Sequence, residues 1–188
     1  MTYAYQTLVE LFEGEGGKDY LGEQVSIATH MLQTGRAARE SGASAELVVA
    51  AVVHDVGHFS GAMSGRELMH GNDNHHDEVA AQWLAQWFDA GVTEPVRLHV
   101  NAKRYLCAVD PTYYDRLSEA SKFTMSVQGG QMSAEEVAAF AAEPYCAAAV
   151  ALRRFDDAGK DPDAPVLTLA DFRAEIEALD RTVNAVWS

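Results

Sequence analysis

At 188 residues, 48% of them apolar and 22% charged, the chain has the balance of one folded domain that buries its core without disulfides. Acidic residues exceed basic ones by 28 to 14, and the net charge of −14 repels the phosphates on which nucleic-acid binding rests. No run approaches the roughly 18 apolar residues of a membrane span, and the first residues carry no basic-then-apolar leader.

The expectation is a cytoplasmic protein, 1–188 forming one domain, with neither nucleic acid nor membrane as partner. Cys107 and Cys146 lack CxxC spacing and lie in helical segments, as free thiols of a reducing compartment would. The acidic surface also repels anionic substrates at long range. An anion would have to be attracted inside a pocket, by metal ions or a few placed cations.

In chain order the pattern is helical nearly throughout, with no sustained strand alternation and no repeat of fixed period. A short amphipathic helix over 3–13 ends at the turn cluster Gly14–Gly17. A long one over 19–40 carries Val25, Ala28, Met31, Leu32 and Gly35 on one stripe. Ser44 caps a helix from 45 to about 58 that is apolar nearly all round, as the buried centre of a bundle would be. Residues 60–74 read as a loop, and a helix follows over 76–90. Thr93, followed by Glu94 and Pro95, reads as the N-cap of a helix through His99 to Leu106. Asp110–Pro111 breaks the chain before a helix over 113–127, and Ser133 and Glu136 make a capping box for 134–142. Pro144 opens a helix to about 157, Gly159–Pro165 is a loop, and Thr168 caps a last helix over about 168–184. The fold class expected is all-α.

The histidines are the informative residues. His54–Asp55 falls in the most apolar helix, where such a pair is costly unless hydrogen-bonded or bound to metal. The dipeptide alone leaves both readings open. His58, four residues on, shares a helical face with His54, and Asp55 has two oxygens with which it could bridge two ions. His30, His76, His99 and Asp156 sit on other helices, and a mixed imidazole–carboxylate set suits iron, manganese or zinc. His70 and His75 read as loop residues.

His30, His54-Asp55 and Asp156 in that order resemble the H…HD…D signature of the HD-domain superfamily, an all-α metal-binding fold. His76 and His99 match the subset that holds two metals. More narrowly, the chain resembles the HD-domain di-iron oxygenases that cleave the carbon–phosphorus bond of 1-hydroxyphosphonates. The matching segments are Tyr20–Glu23, His54–His58, His76–Ala81, His99–Leu106, Leu117–Thr124 with Gln128–Gly130, and Arg153–Lys160, spanning a metal-binding core of about 20–160.

That resemblance implies a single HD-domain helical bundle holding a mixed-valent Fe(II)/Fe(III) pair, with dioxygen as co-substrate. The iron ligands would be His30, His54, Asp55, His76, His99 and Asp156, with Asp55 bridging. His58 and Lys103 would contact the phosphonate, Ser121 and Thr124 would add hydroxyls, and Gln128 and Arg153 would help at the wall. Tyr20 and Glu23 would close the site and meet the nitrogen end of the substrate. They lie three residues apart, and the carboxylate and the aromatic face suit an ammonium or quaternary nitrogen. The implied partner is a small organophosphonate with a 2-amino or 2-trimethylammonio group, the latter favoured, giving phosphate and glycine or glycine betaine. The rival enzymatic reading is an HD-superfamily phosphohydrolase using a metal-bound hydroxide on a nucleotide or phosphate ester, with no need for Tyr20, Glu23 or dioxygen. A helical interaction domain that binds no metal is the non-enzymatic alternative.

Overall fold

Six successive residues, Val48 to Val53, are buried, and they fix the centre of the molecule. They belong to α3 (Ala45–Val53), whose N-cap Ser44 accepts a hydrogen bond from the Leu47 amide. Each buried valine contributes about 1.5–3 kcal/mol relative to exposure, so a helix with no polar face is stable only when surrounded. The structure, a computed structural model, describes residues 3–14, 18–20, 22–59 and 75–184. The expected loop 60–74 with His70, the end of the turn cluster at Gly16–Gly17, and Leu21 lie outside the described residues.

Around α3 pack α2 (Ile27–Glu40), α5 (Ala90–Val109) and α9 (Cys146–Ala158), with α4 (His76–Leu84) laid along α5. The short α6 (Tyr113–Arg116), α7 (Glu119–Val127) and α8 (Ala134–Ala141) border α5. On the other side of α3 lie α1 (Ala4–Glu13) and α10 (Arg173–Leu179), followed by α11 (Arg181–Asn184). The buried Asp180 between α10 and α11 accepts the first amide of α1, Ala4 N, at 2.8 Å and so ties the two ends of the chain together. Among the described residues there is no strand, and the fold is all-α. No helix among them is long and apolar enough to cross a membrane. Cys107 and Cys146 are free.

Several boundaries differ from the sequence reading. The helix expected from residue 19 begins at Ile27, because Ser26 Oγ takes the Thr29 amide and the preceding Gly22, at φ +81°, holds a turn that a helix cannot contain. The central helix stops at Val53 rather than about 58. Asp55 leaves helical geometry at φ −102°, ψ 10°, and Val56–His58 form a 3-10 turn. The helix expected over 76–90 ends at Leu84 in a turn. The next begins at Ala90, so Thr93 lies inside it and reaches back to Asp89 O rather than capping, and Pro95 is interior. The helix expected over 113–127 is broken where Leu117 is extended and Ser118 caps α7 through the Ser121 amide. The capping box of Ser133 and Glu136 is present. Thr168 and Asp171 make another, opening a 3-10 turn, Leu169–Phe172, before α10 instead of one long helix.

Candidate metal centre

Five packed elements deliver imidazoles and carboxylates to one place. His30 comes from the first turn of α2, His54 from the end of α3, Asp55 from the residue after it, His76 from the first position of α4 and His99 from the middle of α5. Asp156 comes from the last turn of α9. All are buried except Asp55, whose side chain is 15% exposed.

Asp55 organises them. Its Oδ2 lies 3.8 Å from His30 Nε2 and 3.4 Å from His54 Nε2, while its Oδ1 lies 3.5 Å from both His76 Nε2 and His99 Nε2. Two ligand groups result, His30–His54–Asp55 and Asp55–His76–His99, sharing the one carboxylate. Asp156 stands beside the first, with Oδ1 3.3 Å from His30 Nε2 and Oδ2 4.0 Å from His54 Nε2.

The backbone fixes which nitrogen faces the centre. The Nδ1–H groups of His30, His54 and His99 donate to the carbonyls of Gly159, Ala51 and Val96 at 2.8, 2.9 and 2.7 Å. A carbonyl only accepts, so each ring carries a proton on Nδ1 and turns Nε2 toward the centre, where it can serve as a ligand when that nitrogen is unprotonated. His54 Nε2 is fully buried and makes no hydrogen bond, and an orphaned acceptor at that depth is costly unless a cation takes it. His76 Nε2 faces His99 Nε2 at 3.2 Å. Orphaned imidazole nitrogen, oriented rings and shared carboxylate fit metal binding better than a hydrogen-bonded core.

Electrostatics agree. Burial pushes the His54 imidazole down to about 4 and likewise lowers His76, favouring the neutral rings that ligation requires, and burial lowers His58 beside them. Burial opposes charge on Asp55, yet the surrounding imidazoles, His54 and His99 foremost, hold its carboxyl well below the usual range. Asp156 is held low against burial by Arg153 and His30. Burial also works against a proton on His30 and His99, but Asp156 and Asp55 respectively raise them.

A cavity of about 640 Å³, its open mouth included, lies over this cluster. The expected substrate residues Tyr20, Glu23, His58, Lys103, Ser121, Thr124, Gln128 and Arg153 all line it, as do the candidate ligands other than His54. His58 and His54 do not share a helical face, since the helix has ended. The 3-10 turn nevertheless carries His58 inward, where it stacks on His76 at 4.0 Å and stands 3.9 Å from Asp55 Oδ1. Lys103 Nζ, one turn past His99, donates to Gln128 Oε1 at 2.6 Å and Thr124 Oγ1 at 3.0 Å. Burial first, and Arg153 next, lower its ammonium to about 7. Arg153 donates to Asp156 Oδ2 at 2.6 Å, Tyr113 OH at 3.0 Å, Ser121 Oγ at 3.4 Å and the Asp157 carboxylate. Tyr20 stands at the rim, 59% exposed. His75 precedes α4, exposed and left-handed at φ +46°.

Four residues of this network were given no role on sequence grounds: Tyr113, Ser118, Asp157 and Lys160. Tyr113 and Asp157 hydrogen-bond each other and hold Arg153. Lys160 Nζ donates to Glu23 Oε1 at 2.7 Å, and Ser118 Oγ donates to the same oxygen at 2.6 Å. The signal for Lys160 was its place at the end of the matching segment Arg153–Lys160, two residues past α9. Gly57 was also passed over. A Cβ there would meet His76 O at 2.0 Å, so only glycine lets the 3-10 turn lie against the start of α4.

No protein-family model matches the chain. Curated relatives do. A [1-hydroxy-2-(trimethylamino)ethyl]phosphonate dioxygenase (glycine-betaine-forming) of Leisingera caerulea is 44% identical over 153 residues, covering 81% of this chain and 78% of that protein. A hydroxymethylphosphonate dioxygenase of Gimesia maris is 39% identical over 181 residues, 92% of this chain and 86% of that protein. An uncharacterised protein of Acanthamoeba polyphaga mimivirus is 33% identical over 184 residues, 96% and 84% of the two chains.

Proposed function

The chain belongs to the phosphonate dioxygenases, and from that membership we propose that its substrate is 1-hydroxy-2-(trimethylammonio)ethylphosphonate, cleaved with dioxygen to glycine betaine and phosphate. The atoms of substrate and one dioxygen suffice for the two products. The hydrolytic alternative is not favoured, since both relatives of named activity are dioxygenases.

The observation that carries the reading is the two-sided Asp55, whose separate oxygens face separate imidazole pairs. His30, His54 and Asp156 would hold one iron, His76 and His99 the other, and Asp55 would bridge. Imidazole with carboxylate suits iron. The bound pair supplies the redox chemistry with dioxygen that breaking a carbon–phosphorus bond requires.

The protein's own groups bind and orient. Lys103, with Thr124 and Gln128 already around its ammonium, receives the phosphonate, and Ser121 and His58 add donors beside it. Such fixed donors substitute for the water a phosphonate loses on entry. Arg153 lines the wall, and its bond to Asp156 Oδ2 leaves Oδ1 turned to His30, which positions a ligand as well as adding positive charge. Glu23 and Tyr20 take the nitrogen end, by charge and by aromatic face rather than by donated hydrogen bonds, because a quaternary nitrogen has none to give. The free thiols Cys107 and Cys146 suit a cytoplasmic enzyme.

The test is phosphate release and oxygen uptake by iron-loaded protein given the trimethylammonio, 2-amino and hydroxymethyl substrates. One phosphate per dioxygen, fastest with the trimethylammonio compound, is expected. Equal release under strict anaerobiosis would end the oxygenase assignment.

A further inference from the structure

We propose that Lys160 is the resident counter-ion of Glu23, and that on binding a substrate ammonium takes Glu23 while Lys160 turns to the phosphonate, which makes Lys160 a specificity-determining residue. The inference rests on the reading above, that a hydroxyphosphonate enters this cavity with Glu23 at its nitrogen end.

The carboxylate that should read a cation already holds one. Lys160 Nζ lies 2.7 Å from Glu23 Oε1, and the two side chains are only 18% and 21% exposed. Both line the cavity rather than the outer surface. An arriving ammonium therefore meets a neutral ion pair, and it would meet like-charge repulsion if Lys160 stayed in place. Lys160 has somewhere to go. Its ammonium is also 2.9 Å from Ser121 Oγ, which receives Arg153 Nη2 at 3.4 Å from the other side. Lys160 thus sits between the nitrogen-reading carboxylate and the donor-lined part of the cavity.

A zwitterionic substrate completes the exchange. Before binding the pairs are Glu23 with Lys160, and the substrate's charges with water. Afterwards they are Glu23 with the quaternary nitrogen and Lys160 with a phosphonate oxygen, so no buried charge is left alone. Ser118 Oγ, 2.6 Å from Glu23 Oε1, keeps donating to the carboxylate when Lys160 leaves, which matters because a quaternary nitrogen donates nothing. A substrate with no nitrogen, such as hydroxymethylphosphonate, leaves the pair intact and binds against a neutral wall. Lys160 thereby sets how strongly the site prefers nitrogen-bearing over nitrogen-free hydroxyphosphonates.

The experiment compares kcat/KM for the trimethylammonio substrate and hydroxymethylphosphonate in iron-loaded full-length protein, for wild type, Lys160→Met, Lys160→Arg and Glu23→Gln. Lys160→Met takes one phosphonate contact from the trimethylammonio substrate, but it also opens Glu23 to the cation and leaves that carboxylate repelling the nitrogen-free dianion; the two latter effects outweigh the first, and the ratio rises by about tenfold. Lys160→Arg, which keeps the charge, stays near the wild-type ratio. Glu23→Gln lowers the ratio by about tenfold, because the freed Lys160 then faces the ammonium. An unchanged ratio in Lys160→Met, with both substrates losing equally, shows a merely structural lysine and overturns the exchange. If Lys160→Met does not fold, an unchanged ratio in Glu23→Gln overturns it as well. Wild-type protein that releases phosphate from neither substrate defeats the functional reading itself, and the exchange with it.

Discussion

Gly57→Ala should remove one metal ion without touching a ligand. The added Cβ would lie 2.0 Å from His76 O and 2.8 Å from His76 C, where about 3.0 Å is the practical floor, so backbone has to yield by about 1 Å. What yields is either the 3-10 turn bearing Asp55 and His58 or the first residue of α4, His76. Either movement opens the 3.5 Å separation between His76 Nε2 and Asp55 Oδ1. The added Cβ presses on His76 and on none of His30, His54 or Asp156, and metal–ligand distances tolerate only about 0.2 Å, so the Asp55–His76–His99 group should be the one that loses its ion. The overpacking itself costs about 1–3 kcal/mol, which a chain of this size shows as a fall in Tm of about 2–12 °C and not as unfolding. The assay is metal per chain by elemental analysis beside oxygen uptake. Wild type should hold two irons and Gly57→Ala about one, with activity gone. A folded Gly57→Ala that retains both ions and full turnover would refute the two-group reading of Asp55.

Three further outcomes are expected. Arg153→Met leaves the buried Asp156 and the half-buried Asp157 without their guanidinium and should cost about 3–5 kcal/mol, read as a lowered midpoint in urea unfolding. Lys103 is neutral above about pH 7, so affinity for the phosphonate should weaken as pH rises through that value, whereas Lys103→Arg, always charged, should give a flat profile over the same range if the geometry is tolerated. Chelation should strip the metal and lower Tm, and iron should restore it in proportion to its concentration, since an ion bound only by the folded state stabilises it by mass action; a Tm indifferent to chelator would argue against a structured metal centre.

The helices were legible in the sequence where a side chain closes them locally. Ser44, Ser133 and Thr168 act as caps, and the unbroken apolar run Val48–Val53 is the buried centre. Boundaries failed where the deciding contact is made from elsewhere. Residues 19–26 have helical composition, but Asp19, Tyr20 and Gly22–Ser26 are not helical, with Ile27 N bonded to Asp19 O and Glu23 drawn to Lys160 and Ser118. Those partners are 137 and 95 residues away in the chain, beyond any local rule. The break after Val53 is of the same kind. A continued helix would turn Asp55 away from His54, whereas the 3-10 turn brings His54, Asp55 and His58 to one centre. The candidate ligands were legible only through the resemblance of their type and order along the chain to the HD-domain signature. Their pairing, two nitrogens to each oxygen of Asp55, exists only in three dimensions.

The acidic surface and the cationic cavity have one explanation. Of the three cations that line the cavity among the described residues, Arg153 is bonded to Asp156 and Asp157 and Lys160 to Glu23, whereas Lys103 donates to Thr124 and Gln128, both neutral. Lys103 is accordingly the cation whose charge burial weakens, its ammonium lowered to about 7. An incoming phosphonate restores that charge by supplying the missing anion, and so gains an attraction that no surface carboxylate can counter at a range beyond about 8–10 Å of screened solvent. A net charge of −14 therefore does not weaken recognition once the substrate is inside. Selectivity for the anion is exerted at Lys103 and the metal centre, where Arg153 and Lys160 cannot exert it until their own carboxylates are released.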